Sequence, residues 1–230
     1  MPLAACSGMP TRAGFSALVV GAGIAADGQI VVSTGPAQQP GRPEWEREFP
    51  ETRVDGIATS RLDLLPATVP RLEAELESDA RLGLLLDAQV PYGWPPGEYD
   101  GPAIRYFLER LIENPDAVGW YGWYALLRSS AGGSRILVGA GGFFGPPNAE
   151  GLVEIGYSVL PAFEGRGFAT ELVRALVEHA FSDRRVRRIV AHTTKENIGS
   201  IKVLQRAGFT FAGTDQETGT VEYARQSPAA

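Results

Sequence analysis

Cysteine is nearly missing from this sequence: Cys6 is the only one in 230 residues, and there are two histidines. One thiol closes no internal disulfide, and so few soft ligands exclude a zinc cluster. The pattern suits a reducing cytoplasm, so the expectation is a cytoplasmic protein without a metal. Positive charge is not in excess either. The formal net charge of −6 argues against a general binder of nucleic acid or of a membrane surface. No apolar run is long enough to cross a bilayer. The nearest, "AGFSALVVGAGIAA" after Arg12, resembles a secretory leader, but its apolar part is short and Gly21 and Gly23 break it. The remainder is ordinary for a soluble globular protein, with 44% hydrophobic and 21% charged residues. A chain of this length buries a core without staples.

Residues 1–54 read as an irregular extension. "GAGIAA" loosely matches a dinucleotide-binding fingerprint, which needs a helix at once and an acidic residue further on. Asp27-Gly28 and "QIVVS" follow instead, and Asp-Gly between apolar runs signals a hairpin, here within residues 15–33. Residues 34–50 are rich in Pro, Gly and Gln and read as a linker. A single domain is expected over residues 55–230. It opens with a strand at "IATSRLDLL", then two short helices, "TVPRLEAELES" and "DARLGLLLD", and an aromatic loop, "VPYGWPPGEYDG". Ile104, Phe107, Leu108, Leu111 and Ile112 form a helical stripe. Three strands follow as a meander, at "WYGWYALL", "RILVGAGGFFG" and "GLVEIGYSVL". Then helix and strand alternate: "GFATELVRALVEHAF", "VRRIVAHTT", "IGSIKVLQRA", "FTFAG" and a last strand, "TGTVEYARQ".

The most informative stretch is "EIGYSVLPAFEGRGFATEL". Phe168, Leu172 and Leu176 put one face of a helix against a sheet. Its amino terminus carries unpaired N–H groups and the positive end of the helix dipole, a setting for phosphate. Gly165 and Gly167 remove side chains from the approach, and Arg166 adds a cation. The same glycines would also serve a tight strand-to-helix turn.

From Arg61 to Gly213 the chain resembles the GNAT superfamily of N-acetyltransferases, in particular the RimJ/RimL-like branch. The resemblance rests on Trp94–Pro96, on "EIGYSVLPAFEGRGFATELVRAL" and on "NIGSIKVLQRAGF", the last two in the family's order and spacing. It implies an α/β (α+β) fold with a mixed, mostly antiparallel sheet flanked by helices. It implies acetyl-coenzyme A as donor, its diphosphate on the amides from Gly165 through Arg166, Gly167, Phe168 and Ala169 to Thr170. The pantetheine would run beside Tyr157, Ser158 and Val159, with a free N–H near Val159 holding the acetyl oxygen. Asn197 and Ser200 match family positions near the pantetheine and the sulfur. The chain departs from the family at Glu164, where Gln or Arg is usual and a carboxylate would face the diphosphate. It departs again in having Tyr223 as the only tyrosine after "GFTFAG".

Acetyl transfer to an amine needs a base, a held carbonyl and a proton for the leaving sulfur. Glu154 is the candidate base. On a strand it shares one face with Gly156 and Ser158, while Val153, Ile155, Tyr157 and Val159 share the other. The alternative is an ordinary half-buried strand with its charge in solvent. Ser200 and Tyr223 are the candidate acids, and Asn197 is equally well placed as a helix N-cap. His179 and His192 rank lower. The basic residues from Arg184 to Arg188 read as a solvated helix end or as a contact to the 3′-phosphate of coenzyme A. Trp94, Tyr99 and Asp100, in a loop with Tyr92 and Glu98, either wall the acceptor pocket or pack over the core edge. Aromatic faces and carboxylates together favour a cationic acceptor, a peptide amino terminus or a small-molecule amine. Two rivals stand beside this reading: transfer of a different acyl group, and a coenzyme A-binding sensor without catalysis. Oligomeric state is open, a homodimer included.

Overall fold

Alternation in the three meander strands sends every second side chain to each sheet face, and the two faces are buried by different helices. In the computed structural model the described residues are 55–129, 132–215 and 219–228, with two short strands, β1 (Gly23–Ile24) and β2 (Ile30–Val31). β1 and β2 pair antiparallel, Gly23 opposite Val31. The rest of the expected hairpin, the linker, Cys6 and the leader-like run lie outside the described residues. The chain divides into Met1–Pro50 and Glu51–Ala230.

The second unit carries β3 (Ile57–Ala58), β4 (Leu62–Pro66), α1 (Val69–Glu77), α2 (Asp79–Leu86), β5 (Ala88–Gln89) and α3 (Gly101–Glu113). Then come β6 (Gly122–Leu127), β7 (Arg135–Phe143), β8 (Leu152–Val159), α4 (Phe168–Ser182), β9 (Arg188–Thr193), α5 (Ile198–Arg206), β10 (Thr210–Thr214) and β11 (Val221–Gln226). Nine strands form one sheet in the order β10-β11-β9-β8-β7-β6-β4-β3, with β5 added on β7. Neighbours are antiparallel except β5 with β7 and β8 with β9. The expected mixed, mostly antiparallel sheet flanked by helices is therefore the fold. The expected first strand is interrupted: Thr59 N–H closes onto the Leu62 carbonyl, which separates β3 from β4.

On one face Trp123 and Ala125 pack with Val153, Ile155, Ile189 and the apolar side of α4. On the other, Tyr124, Leu126 and Leu137 pack with Leu72, Leu82, Phe107 and Leu111 of α1, α2 and α3. Both Trp123 and Tyr124 are fully buried. A sheet clamped on both faces holds its strand ends rigidly, and the candidate site is built on those ends.

Candidate active site

β8 starts beside β9 and ends beside β7 alone. Its ladder with β9 runs from Leu152 to Glu154, the last pair being Glu154 with Val190. Beyond that point β9 stays on β11 up to Thr193. β8 stays on β7 up to Val159. The two strands thus part at Glu154. Leu160 N–H donates to Val138 and Phe144 N–H to Glu154, so even-numbered residues of β8 bond to β7. By ladder alternation the amides of Tyr157 and Val159 face the gap that β9 has left.

The gap opens on two pockets. One, of about 350 Å³, runs along Tyr157–Val159 to the first turn of α4 and is closed by Asn197, Ser200, Lys202 and Arg206. The other, of about 500 Å³, is lined by Glu154, Gly156, His192, Tyr99, Phe107 and Phe144, among others. Tyr157, Ser158, Asn197 and Ser200 line both, so these residues mark the junction.

Gly165 (φ 69°) and Gly167 (φ 83°) both lie in the left-handed region, so the turn into α4 itself requires glycine there. Gly167 is the N-cap and offers no side chain, which leaves the first amides of α4 without a side-chain cap. Arg166 stacks over the rings of Phe163 and Phe168. Glu164 is exposed. The turn is pinned from outside. Arg61 donates to the Arg166 carbonyl and, through Nε at 2.7 Å, to Glu171 on α4. Glu171 also accepts from the Thr59 and Ser60 hydroxyls and from the Arg61 amide. Burial pushes its carboxyl up, but these donors outweigh burial and hold it down at about 2.

At the start of α5, Asn197 Oδ1 accepts the Ser200 N–H at 3.0 Å, the N-cap that the sequence suggests. The Tyr157 phenol lies 2.9 Å from Ser200 Oγ, and burial pushes its pKa up to about 12. Tyr223 is elsewhere. It is buried in the core with its ring against Phe211, on the strand face opposite to Glu222, and lines neither pocket. Strand alternation decides this: Glu222 lies beside His192 on the cleft face, so Tyr223 must point into the core.

The aromatic loop divides in the same way. Gly97, Glu98 and Tyr99 line the larger pocket, and a Cβ on Gly97 would come within 2.7 Å of Ser158 Oγ. Trp94 and Asp100 do not line it. The Trp94 indole donates to Glu75 of α1 at 2.7 Å, as do Tyr99 and Tyr124 with their hydroxyls. Asp100 accepts the Ala103 amide as the N-cap of α3. Tyr92 is exposed. His179 packs edge-on against Trp123, 5.0 Å between centroids, and burial lowers its pKa.

His192, ranked low from the sequence, lies against Glu154. Its Nδ1 lies 2.8 Å from Glu154 Oε1, a contact that only the β8–β9–β11 register brings about. Of the two readings of the basic run, the contact to coenzyme A finds no support in the pocket at α4, which Lys202 and Arg206 line and residues 184–188 do not. Arg185 pairs instead with Asp183, and Arg188 with Glu222. Lys202 and Arg206 follow Asn197 on one helix, and that spacing was the available signal. Among the described residues no cluster could hold a metal ion, and no helix is long and apolar enough to cross a membrane.

The family profile described as "Acetyltransferase (GNAT) domain" matches residues 71–210. The chain belongs to the GNAT acetyltransferase family. The Bacillus subtilis N-acetyltransferase YjdG is 30% identical over 153 residues, 66% of this chain and 88% of that protein. Among solved structures, RimL, a ribosomal L7/L12 alpha-N-protein acetyltransferase in complex with coenzyme A, superposes with a TM-score of 0.53 at 21% identity. That match covers 76% of this chain and 100% of RimL. The microcin C7 self-immunity acetyltransferase MccE, in complex with acetyl-CoA and AMP, gives 0.50 at 18% identity, over 76% and 98% of the two chains. The chain is thus a GNAT-type acyltransferase, and its nine-stranded sheet is that fold.

Proposed function

We propose that this acetyltransferase moves an acetyl group from acetyl-coenzyme A to a primary amine by direct attack in a ternary complex. The parting of β8 from β9 at Glu154 carries the reading, because it leaves strand amides facing a gap between two pockets. The donor set fits coenzyme A. The turn from Gly165 to Thr170 offers uncapped amides at a helix N-terminus for a diphosphate, with Arg166, Lys202 and Arg206 nearby. Glu164 is exposed, so its carboxylate is free to turn to solvent. Tyr157, Ser158 and Val159 pair with the pantetheine as an added strand would. The Val159 amide faces the gap and donates to the acetyl oxygen as negative charge grows on it.

Glu154 takes the proton from the acceptor ammonium, and the neutral amine attacks the carbonyl carbon. The attacking nitrogen passes its remaining surplus proton to the Ser200 oxygen as the Ser200 hydroxyl gives its own to the departing sulfur, so Ser200 ends neutral, and the Tyr157 phenol holds that hydroxyl in place. The acceptor lies in the larger pocket, where Glu98 and Glu154 sit with Tyr99, Phe107 and Phe144. Carboxylates and ring faces attract an ammonium. The class of acceptor is therefore a cationic amine, a peptide amino terminus or a small molecule. RimL, by its name, acts on a protein α-amine.

The test is acetylation of a panel (Ala- and Ser-initial peptides, kanamycin, spermidine), followed by release of free thiol. In the Glu154→Gln variant turnover of the best acceptor falls by roughly 10²–10⁴-fold at neutral pH, and higher pH restores part of it. Thermal stabilisation by acetyl-coenzyme A stays as in the unaltered protein. An unchanged rate in that variant assigns the base elsewhere.

A further inference from the structure

The cleft face of β8, β9 and β11 carries a row of four charged or titratable side chains. Glu154 Oε1 meets His192 Nδ1 at 2.8 Å, and His192 Nε2 faces Glu222 Oε2 at 3.4 Å. Glu222 Oε1 in turn meets Arg188 Nη2 at 2.5 Å. Register puts them there: Glu222 is directly opposite His192, and Glu154 is opposite Val190, two residues before it. Glu154 and His192 line the larger pocket, where β8 and β9 part.

Stability is a poor reason for this row. The four side chains are between 31% and 40% exposed, and ion pairs so placed contribute about 0–1 kcal/mol. Orientation is a better one. A carboxylate on a half-exposed strand end turns freely unless something holds it. One donor on Oε1 fixes the plane of the group and leaves Oε2 to the pocket. A second carboxylate, itself held by an arginine, lies 3.4 Å from the other ring nitrogen, and it fixes the ring that supplies the donor when both nitrogens carry protons. Buried or not, a ligand or base held through a second residue in this way keeps its geometry between turnovers.

We infer that His192 is the positioning residue for Glu154, and that Glu222 with Arg188 holds His192 in turn. The inference rests on the assignment of Glu154 as base. Two effects of the His192 contact oppose each other. A hydrogen bond to one oxygen reduces the carboxylate's pull on a proton, at a cost below about tenfold when transfer is partial. Misplacing a reacting group by about 1 Å costs up to about 10²-fold. Positioning wins, so removing the imidazole lowers the rate.

The experiment uses the full chain and the best acceptor of the panel. In His192→Ala, kcat falls roughly 10–100-fold while KM for acetyl-coenzyme A is unchanged. His192→Asn, whose amide nitrogen replaces Nδ1, recovers most of the loss. In a Glu154→Gln background, His192→Ala costs nothing more, because the two act as a unit. Wild-type kcat in His192→Ala, with Glu154→Gln inactive, overturns the inference and leaves the base assignment standing. Losses that multiply in the double variant, or an Asn variant as slow as Ala, also overturn it. Full turnover in Glu154→Gln overturns both, and is recognised by that single variant. If His192→Ala does not fold, His192→Leu against His192→Asn makes the same comparison.

Discussion

The Tyr157 phenol and Ser200 Oγ lie 2.9 Å apart, at the junction of the two pockets. Burial raises the phenol's pKa to about 12, more than the Ser200 contact lowers it. Tyr157 therefore keeps its proton at any working pH. It is a fixed hydrogen-bond partner. Ser200→Ala should lower kcat by roughly 10–100-fold, at or below the usual range for a lost proton donor. Tyr157→Phe should lower it less, and the double variant should match Ser200→Ala. The pH–rate profile of the unaltered protein should show no limb from Tyr157 below about pH 11. Independent losses from the two variants would separate the hydroxyls functionally.

Glu171 gives the acid limit of stability. Its carboxyl, held at about 2 against an ordinary value of 4.5, is depressed in the folded state. Such a group stabilises the fold fully above 4.5, and the contribution is lost as pH falls towards 2. Glu171→Gln should lower the Tm at pH 7, and the gap to the unaltered protein should close between about pH 4.5 and pH 2. A gap of constant size across that window would mean that the carboxylate charge is not what pins the turn into α4.

Much of this was legible in the sequence, and what was missed has a common cause. The meander, the helix after Gly167 and the N-cap at Asn197 are local patterns within a few residues of each other. The two faces of β8 follow from alternation: Val153 and Ile155 are in the core, and Glu154 and Gly156 face a pocket. The glycines at 165 and 167 were read as room for phosphate, with a tight turn as the alternative. Their positive φ values make the turn sufficient reason for both. Tyr223 was chosen because it is the last tyrosine, but its face is set by the register of β11 on β9. The His192 contact depends on that same register and on where β8 leaves β9. Trp94 and Asp100 were placed by composition, while their partners Glu75 and Ala103 were decided by packing and capping. Long-range pairing was the missing information in each case except Asp100, where a helix begins at Gly101, before the apolar stripe starts at Ile104.

Glu75 links the acceptor pocket to the core. Its two oxygens accept from Trp94, Tyr99 and Tyr124, and Tyr99 continues into Gly97 and Glu98, which line the pocket. Glu75→Ala leaves three inward-facing donors without their acceptor. At about 1–3 kcal/mol each, the loss should be at least about 3 kcal/mol, a Tm fall readily seen by calorimetry. The loop loses its anchor, so KM for the acceptor amine should rise several-fold. KM for acetyl-coenzyme A should not, because the pocket along α4 contains no residue of this loop. The charge also leaves a signature. Burial raises the Glu75 carboxyl above 4.5 despite the three hydrogen bonds. A raised group stabilises the fold fully below its ordinary value and loses that contribution as pH rises through the folded value. Glu75→Gln, which stays neutral, should therefore gain on the unaltered protein as pH rises from about 4.5. Equal rises in the two KM values of Glu75→Ala would show that the whole cleft has loosened, and that the loop is not a separate wall of the acceptor pocket.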